Sequence, residues 1–182
     1  MNVIKTKIKD LLIIEPKVFG DDRGFFYETF QKERYRAVGI DVDFVQDNRS
    51  RSTKGVLRGL HFQKTKPQGK LVTVTDGEVF DVAVDLRPDS ETFGQHEAII
   101  LTGSNKRQFY VPPGFAHGFC VLSDTADFQY KCTDYYDLSD ECGLLWNDPV
   151  LQIQWPLSNP LLSDKDMTQP MFSQIKDQII NG

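Results

Sequence analysis

Apolar residues recur along this chain in short β-type runs: LLIIEP (11–16), GFFYETF (24–30), VDFVQDN (42–48), KLVTVT (70–75) and EVFDVAVDL (78–86). HEAIIL (96–101), RQFYV (107–111), GFCVL (118–122), ADFQYKC (126–132) and LQIQW (151–155) continue the series. Runs of this length, separated by turn signals, predict an all-β sandwich or barrel. The clearest predicted hairpin is KLVTVTDGEVFDVAVD, where Asp76 and Gly77 supply the positive φ angles of a two-residue turn and would fix its register. Helical periodicity is weak, with two turns expected over Gln31 to Val38 and a short C-terminal helix over Ser173 to Ile180. No linker, composition shift or internal repeat divides residues 1–182, so one domain is expected. The hydrophobic N-terminal stretch Val3 to Ile14 offers strands either to its own sheet or, by exchange, to a second subunit of a homodimer.

Composition adds limits to this picture. A chain of 182 residues with 40% hydrophobic and 26% charged residues is long enough to pack a core without a disulfide or metal staple. Cys120, Cys132 and Cys142 form no C-x-x-C pair, and their odd number argues against a disulfide framework. A net charge of −5 gives no general field for nucleic acid or an anionic membrane. An anionic ligand would need a local basic pocket, for which Arg23, Arg58 and Lys70 are candidates. The N-terminus carries no secretory pattern and no run approaches a membrane span, so a cytoplasmic protein is expected.

The candidate chemistry begins with two histidines in apolar, glycine-rich surroundings: His61 in RGLHFQ and His117 in PPGFAHGF. Gly55, five residues and then His61 resemble the first motif of the cupins, small double-stranded β-barrels, except that Gln63 replaces the second histidine. The expected carboxylate region reads KTKPQGK, which is basic, while Pro112 to His117 fits the second cupin motif. Two of four ligands remain where a catalytic zinc keeps three and iron needs a facial triad, so no metal is expected. What stays open from these residues alone is a working base or a core histidine. Tyr130 alone reads as one more strand aromatic, Lys70 as a surface lysine, DDRG as a plain turn and LSDKD as a solvated loop in which Asp164 or Asp166 caps a helical turn.

The order of motifs narrows the choice. EPKVFGDDRGFFYETF, FVQDNRSRSTKGVLRGLHFQ, PQGKLV, GEVFDVAVDLR, VPPGFAHGF, YKCTDYY, LLWNDP, IQWP and LSDKD together resemble the dTDP-4-dehydrorhamnose 3,5-epimerases over nearly the whole chain. That resemblance implies a cupin jelly-roll barrel with short peripheral helices and an enzyme without metal or cofactor. It would invert C3 and C5 of dTDP-4-dehydro-6-deoxy-D-glucose to give dTDP-4-dehydro-L-rhamnose. It further implies His61 as general base, Asp166 as its carboxylate partner, Tyr130 as proton donor and Lys70 as stabiliser of the C4 enolate, with His117 beside it. Arg23, Glu28, Gln46, Asp47, Asn48, Arg58, Glu141 and Lys165 match substrate-contacting positions, some of which the family supplies from the neighbouring subunit. Thr73 departs from the Arg that many members carry in K-L-V-R.

The residue types suit such chemistry. A C–H beside a ketone becomes acidic only when the enolate is stabilised, and inversion needs an acid on the face opposite the base. Arg23 and Arg58 offer paired donors to a diphosphate. An epimerase acting at C3 or C5 alone would use the same groups, with Tyr136 a candidate for restricting the sugar. A non-catalytic sugar-binding cupin is the remaining alternative.

Overall fold

The computed structural model describes residues 1–180. Its strands are β1 (Asn2–Lys5), β2 (Leu12–Glu15), β3 (Val18–Asp21), β4 (Gly24–Tyr27), β5 (Gln46–Thr53), β6 (Leu57–Gln63) and β7 (Lys70–Asp76). They continue with β8 (Glu78–Asp85), β9 (His96–Thr102), β10 (Gln108–Val111), β11 (Phe115–Val121), β12 (Thr125–Cys132) and β13 (Glu141–Gly143). The short helices α1 (Lys32–Arg36), α2 (Asp164–Met167) and α3 (Phe172–Ile180) lie among and after them. One sheet has the order β1-β2-β10-β7-β12-β5, the other β13-β6-β11-β8-β9, and β3 pairs with β4 in a separate hairpin.

The two sheets close on a shared core. Val72, Val74, Phe109 and Phe128 of the six-stranded sheet meet Val79, Ala83, Leu101 and Phe119 of the five-stranded one. Phe119 and Phe128 stack across the gap with centroids 3.9 Å apart. Each large apolar side chain removed from water in this way contributes about 1.5–3 kcal/mol. The outer face of the five-stranded sheet is also covered, because Leu144, Leu151, Trp155 and Phe172 pack against Leu60, Val82 and Val84. Strands apolar on both faces read as continuous runs rather than alternations, which explains the pattern of EVFDVAVDL. This is the all-β jelly roll with peripheral helices expected from the sequence.

The hairpin predicted at Asp76 and Gly77 is not there. β7 takes β10 and β12 as its neighbours, and β8 takes β11 and β9, so neither has a free edge for the other. The chain instead turns from one sheet to the other at Gly77, with φ 77°. A Cβ there would come within 2.1 Å of the Thr125 carbonyl oxygen.

The N-terminal stretch forms β1 and β2, which pair with each other, and β2 continues onto β10 of its own sheet. The first expected helix is shorter than predicted, beginning at Lys32 where the Gln31 side chain accepts from the Arg34 amide at 2.6 Å. The last begins one residue earlier than predicted, at Phe172, whose amide donates to buried Asp148 at 2.5 Å.

Candidate active site

β6 and β11 run side by side, and His61 and His117 are direct register partners on them. A bulge follows between His117 and Phe119, where Gly59 and Gly118 let the two backbones approach closely. A Cβ on Gly118 would sit 2.7 Å from the Arg58 carbonyl oxygen and 3.2 Å from the Gly59 Cα. Glycine at both positions therefore brings the histidines onto one patch of the ladder.

Asp166 reaches this patch from the far end of the sequence. Leu161 bridges Val56 in parallel; its amide donates to the Gly55 carbonyl at 2.7 Å and its carbonyl accepts from the Leu57 amide at 3.0 Å. Ser163 then caps α2, accepting from the Asp166 amide at 3.2 Å. The Asp166 carboxylate ends 2.5 Å from Nε2 of His61, with side chains 4% and 26% exposed respectively. Burial pushes the Asp166 carboxyl up, but His61, the Ser163 hydroxyl and the Lys165 charge outweigh it and hold it below the usual range. Ser163, rather than Asp164 or Asp166, is the cap, and LSDKD is not a solvated loop, because Asp166 is buried.

A 260 Å³ cavity opens in front of this pair, lined by Arg58, Lys70, His117, Tyr130 and Lys165 as well as by His61 and Asp166. Lys70 begins β7, half-buried, with its Nζ 5.9 Å from the centroid of the Tyr130 ring. Burial lowers the Lys70 pKa, and burial raises that of the Tyr130 phenol, which keeps its proton well beyond neutral pH. Arg58 donates from Nε to the buried Ser52 hydroxyl at 3.2 Å. A larger hollow of 530 Å³ at Lys7, Asp10 and Arg87 lacks such chemistry, since Arg87 is already bound to Asp85 and Asp10.

At the rim, Glu141 accepts from Lys165 at 2.7 Å and from the Tyr136 hydroxyl at 2.8 Å, and with His61, Lys70 and Tyr130 it lines a second space of 80 Å³. Burial raises the Glu141 pKa, but these two partners bring it below the ordinary value. Gln46 accepts from the Tyr136 amide at 3.0 Å and donates to Asn48 at 3.1 Å; Asn48 is the cross-strand partner of Tyr130.

Gln46 and Asn48 do not themselves line the cavity, and three further sequence candidates are held away from it within this chain. Arg23 sits 89% exposed at the end of the β3–β4 hairpin, bound to Asp21. Glu28 binds Arg34 at 3.2 Å. Asp47 falls on the outward side of β5, where it pairs with Lys131, because strand alternation sends Gln46 and Asn48 the other way.

Thr73 likewise borders an outer hollow with Arg49 and Gln129, so its departure from the family pattern lies away from the cavity. Gln63, at the position of the missing cupin ligand, donates to the Lys66 and Tyr135 carbonyls and accepts from the Asp137 amide. Among the described residues no group of three or more His, Cys, Asp or Glu is arranged to hold a metal ion. Sequence reasoning missed Asp81, fully buried and 2.8 Å from Nε2 of His117, and Ser163. An aspartate interrupting the apolar run EVFDVAVDL was the available signal for the first.

Residues 5–174 match the family profile described as dTDP-4-dehydrorhamnose 3,5-epimerase. A protein of that name from Shigella flexneri is 60% identical over 94% of this chain and 96% of its own length. Its Escherichia coli K12 namesake is 57% identical over 91% of each. The crystal structure of a dTDP-6-deoxy-D-glucose-3,5-epimerase from Legionella pneumophila, solved with dTDP-4-keto-L-rhamnose, is 57% identical and superposes with a TM-score of 0.95 over 98% of this chain and 96% of that one. With fold, motif order and paired carboxylate and histidine all in agreement, this chain belongs to the dTDP-4-dehydrorhamnose 3,5-epimerase family.

Proposed function

We propose that this chain converts dTDP-4-dehydro-6-deoxy-D-glucose to dTDP-4-dehydro-L-rhamnose, inverting C5 and C3 through enolates at C4, in the making of dTDP-L-rhamnose. The observation that carries this reading is the His61–Asp166 pair opening onto one cavity with Lys70 and Tyr130. Because Asp166 accepts from Nε2–H, the nitrogen left to take a proton from carbon is Nδ1 of His61. A positioned base of this kind is worth about 10²- to 10⁴-fold in rate. As the C–H bond breaks, its electron pair moves to the C4 oxygen, where the Lys70 ammonium, helped by His117, stabilises the charge by about 3 kcal/mol per well-placed donor. Tyr130 then gives its proton to the opposite face of the carbon, leaving a phenolate. Each inversion thus moves one proton onto His61 and one off Tyr130, and both groups must be reset before the next carbon reacts.

Arg58 is assigned to the diphosphate, with Gln46, Asn48, Glu141 and Lys165 around the nucleotide. Arg23 and Glu28 lie outside their own cavity, which supports a homodimer in which each chain reaches toward its neighbour's site, as does the exposure of Phe19, Phe25 and Phe26 on the β3–β4 hairpin. Exchange of β1 and β2 belongs to the same proposal. Residues 1–182 act as one catalytic domain on this reading, in the cytoplasm, with no metal, cofactor, nucleic-acid or membrane partner. No helix among the described residues is long and apolar enough to cross a membrane.

The test is incubation of chelator-treated protein with dTDP-4-dehydro-6-deoxyglucose in D₂O, followed at C3 and C5 by proton NMR. Deuterium and inversion at both carbons are expected. Change at one carbon would make this a single-centre epimerase, and exchange at neither would overturn the reading.

A further inference from the structure

The β3–β4 hairpin carries Arg23 at its end and forms a two-stranded sheet of its own, outside both large sheets. Its tilt is therefore set by its roots and by side chains rather than by a backbone ladder. Register fixes its two faces: Phe19 stands opposite Phe26 on one, while Gly20 with Phe25 and Val18 with Tyr27 share the other. Against this second face lies the Lys106 ammonium, 4.0 Å from the centroid of the Phe25 ring and 6.0 Å from that of Tyr27. The two rings are themselves 6.0 Å apart, so one cation serves both.

Lys106 is built into a stiff turn between β9 and β10. The Asn105 side-chain oxygen accepts from the Thr102 and Arg107 amides at 3.1 and 3.0 Å, and the Lys106 amide donates to the Thr102 carbonyl at 3.3 Å. Lys106 Nζ donates to the Gly103 carbonyl, which fixes where the ammonium sits. Next to it, Arg107 binds Glu15 at 2.8 and 2.9 Å, at the end of β2 from which the hairpin springs. The same turn thus grips the hairpin at its root and on one face. Lys106 also has φ 56°, in the left-handed region that glycine enters more readily. A long cationic side chain at such a position calls for a reason beyond the turn itself.

We infer that Lys106 is a positioning residue: by seating Phe25 and Tyr27 on its ammonium it fixes the tilt of the hairpin, and with it the place at which Arg23 enters the neighbouring subunit's site. The inference deepens the epimerase reading and rests on its homodimer. Arg23 lies four residues before Tyr27, roughly 13 Å away along an extended strand. A tilt of about 10° at the root moves the tip by about 2 Å, more than a guanidinium paired with phosphate oxygens tolerates. Loss of the cation therefore weakens binding and leaves the chemistry alone, because Arg23 holds the diphosphate and no reacting carbon.

The experiment compares the full-length wild type with Lys106→Gly and Lys106→Arg. Glycine accepts the left-handed backbone, so Lys106→Gly is expected to match the wild type in urea denaturation. Its affinity for dTDP, read by calorimetry, is nevertheless expected to fall by a factor of about 2 to 5, as for one exposed cation–π contact. KM rises likewise while kcat stays near the wild-type value. Lys106→Arg, which keeps the cation, restores both. Phe25→Leu, which removes the ring instead of the cation at a 61% exposed position, is expected to give the same loss, and the two changes together little more than either.

Mixed dimers locate the effect. A Lys106→Gly chain paired with a His61→Ala chain keeps one working site, served by the other chain's intact hairpin, and its KM is expected to equal that of the wild type. A chain carrying both substitutions, paired with a wild-type chain, is expected to show the raised KM. Unchanged affinity for dTDP in Lys106→Gly, a KM that follows the working chain's own Lys106, or a monomer in sedimentation would overturn the inference. The dTDP measurement needs no turnover, so it stays readable if deuterium exchange fails at both carbons and the epimerase reading falls.

Discussion

Nε2 of His61 is engaged by Asp166, and substitutions at the pair should therefore separate orientation from basicity. Asp166→Asn presents an oxygen or an amide to the ring and loses the fixed tautomer; proton exchange at C3 and C5, read by NMR in D₂O, is expected to slow about 10²- to 10⁴-fold. Tyr130→Phe leaves the base and Lys70 in place, so exchange is expected to persist while inversion is lost. Most of these residues were legible in the sequence because the resemblance runs through ordered motifs. Lys70 alone reads as a surface lysine, and only the fold, by half-burying it beside Tyr130, makes it a cation of lowered pKa. Asp81 was passed over because an aspartate in a strand is usually the solvent-facing member of an alternation, whereas β8 is covered on both sides.

Between elements, the decisive contact is the approach of β6 to β11. Gly118→Ala forces a Cβ against the Arg58 carbonyl and the Gly59 Cα, and the strands must part. A loss of about 1–3 kcal/mol in urea denaturation is expected. A fall in kcat is also expected under conditions where the variant is fully folded, because His61 and His117 sit on the displaced strands. An unaltered kcat would mean that this ladder does not set the geometry. The number and type of strands were readable from the apolar runs, but their partners were not. Asp76-Gly77 has the chemistry of a tight hairpin, yet competition for strand edges decided otherwise, and pairing across the sheets is invisible to local pattern.

For the molecule as a whole, the buried carboxylate of Asp85 ties parts of the fold together. It accepts from Arg87, Ser90 and Thr92, while Arg87 also reaches Asp10 and the Lys9 carbonyl near the six-stranded sheet. Burial raises the Asp85 pKa but these partners bring it below the ordinary value. A carboxyl whose folded pKa is depressed gives stability that is present above its unfolded value and is lost as pH falls through the folded one. Asp85→Asn is expected to cost about 3 kcal/mol at pH 7, a deficit that shrinks in acid unfolding experiments below about pH 4. Sedimentation equilibrium is expected to give twice the 20.8 kDa of one chain; a monomer would remove the homodimer and leave Arg23 without a site. Charge and composition did not foretell the Asp85 tie, since it depends on which loops the two sheets bring together.

The parallel bridge of Leu161 to Val56 carries one more consequence, for the order in which the protein comes into being. Every strand among the described residues is made before residue 144, so both sheets can assemble on the ribosome while the partner of His61 is still being translated. A nascent or prematurely stopped chain that already has its barrel lacks Asp166, so on the proposed mechanism proton exchange is expected to begin only once the segment from Leu161 to Asp166 is laid along β6.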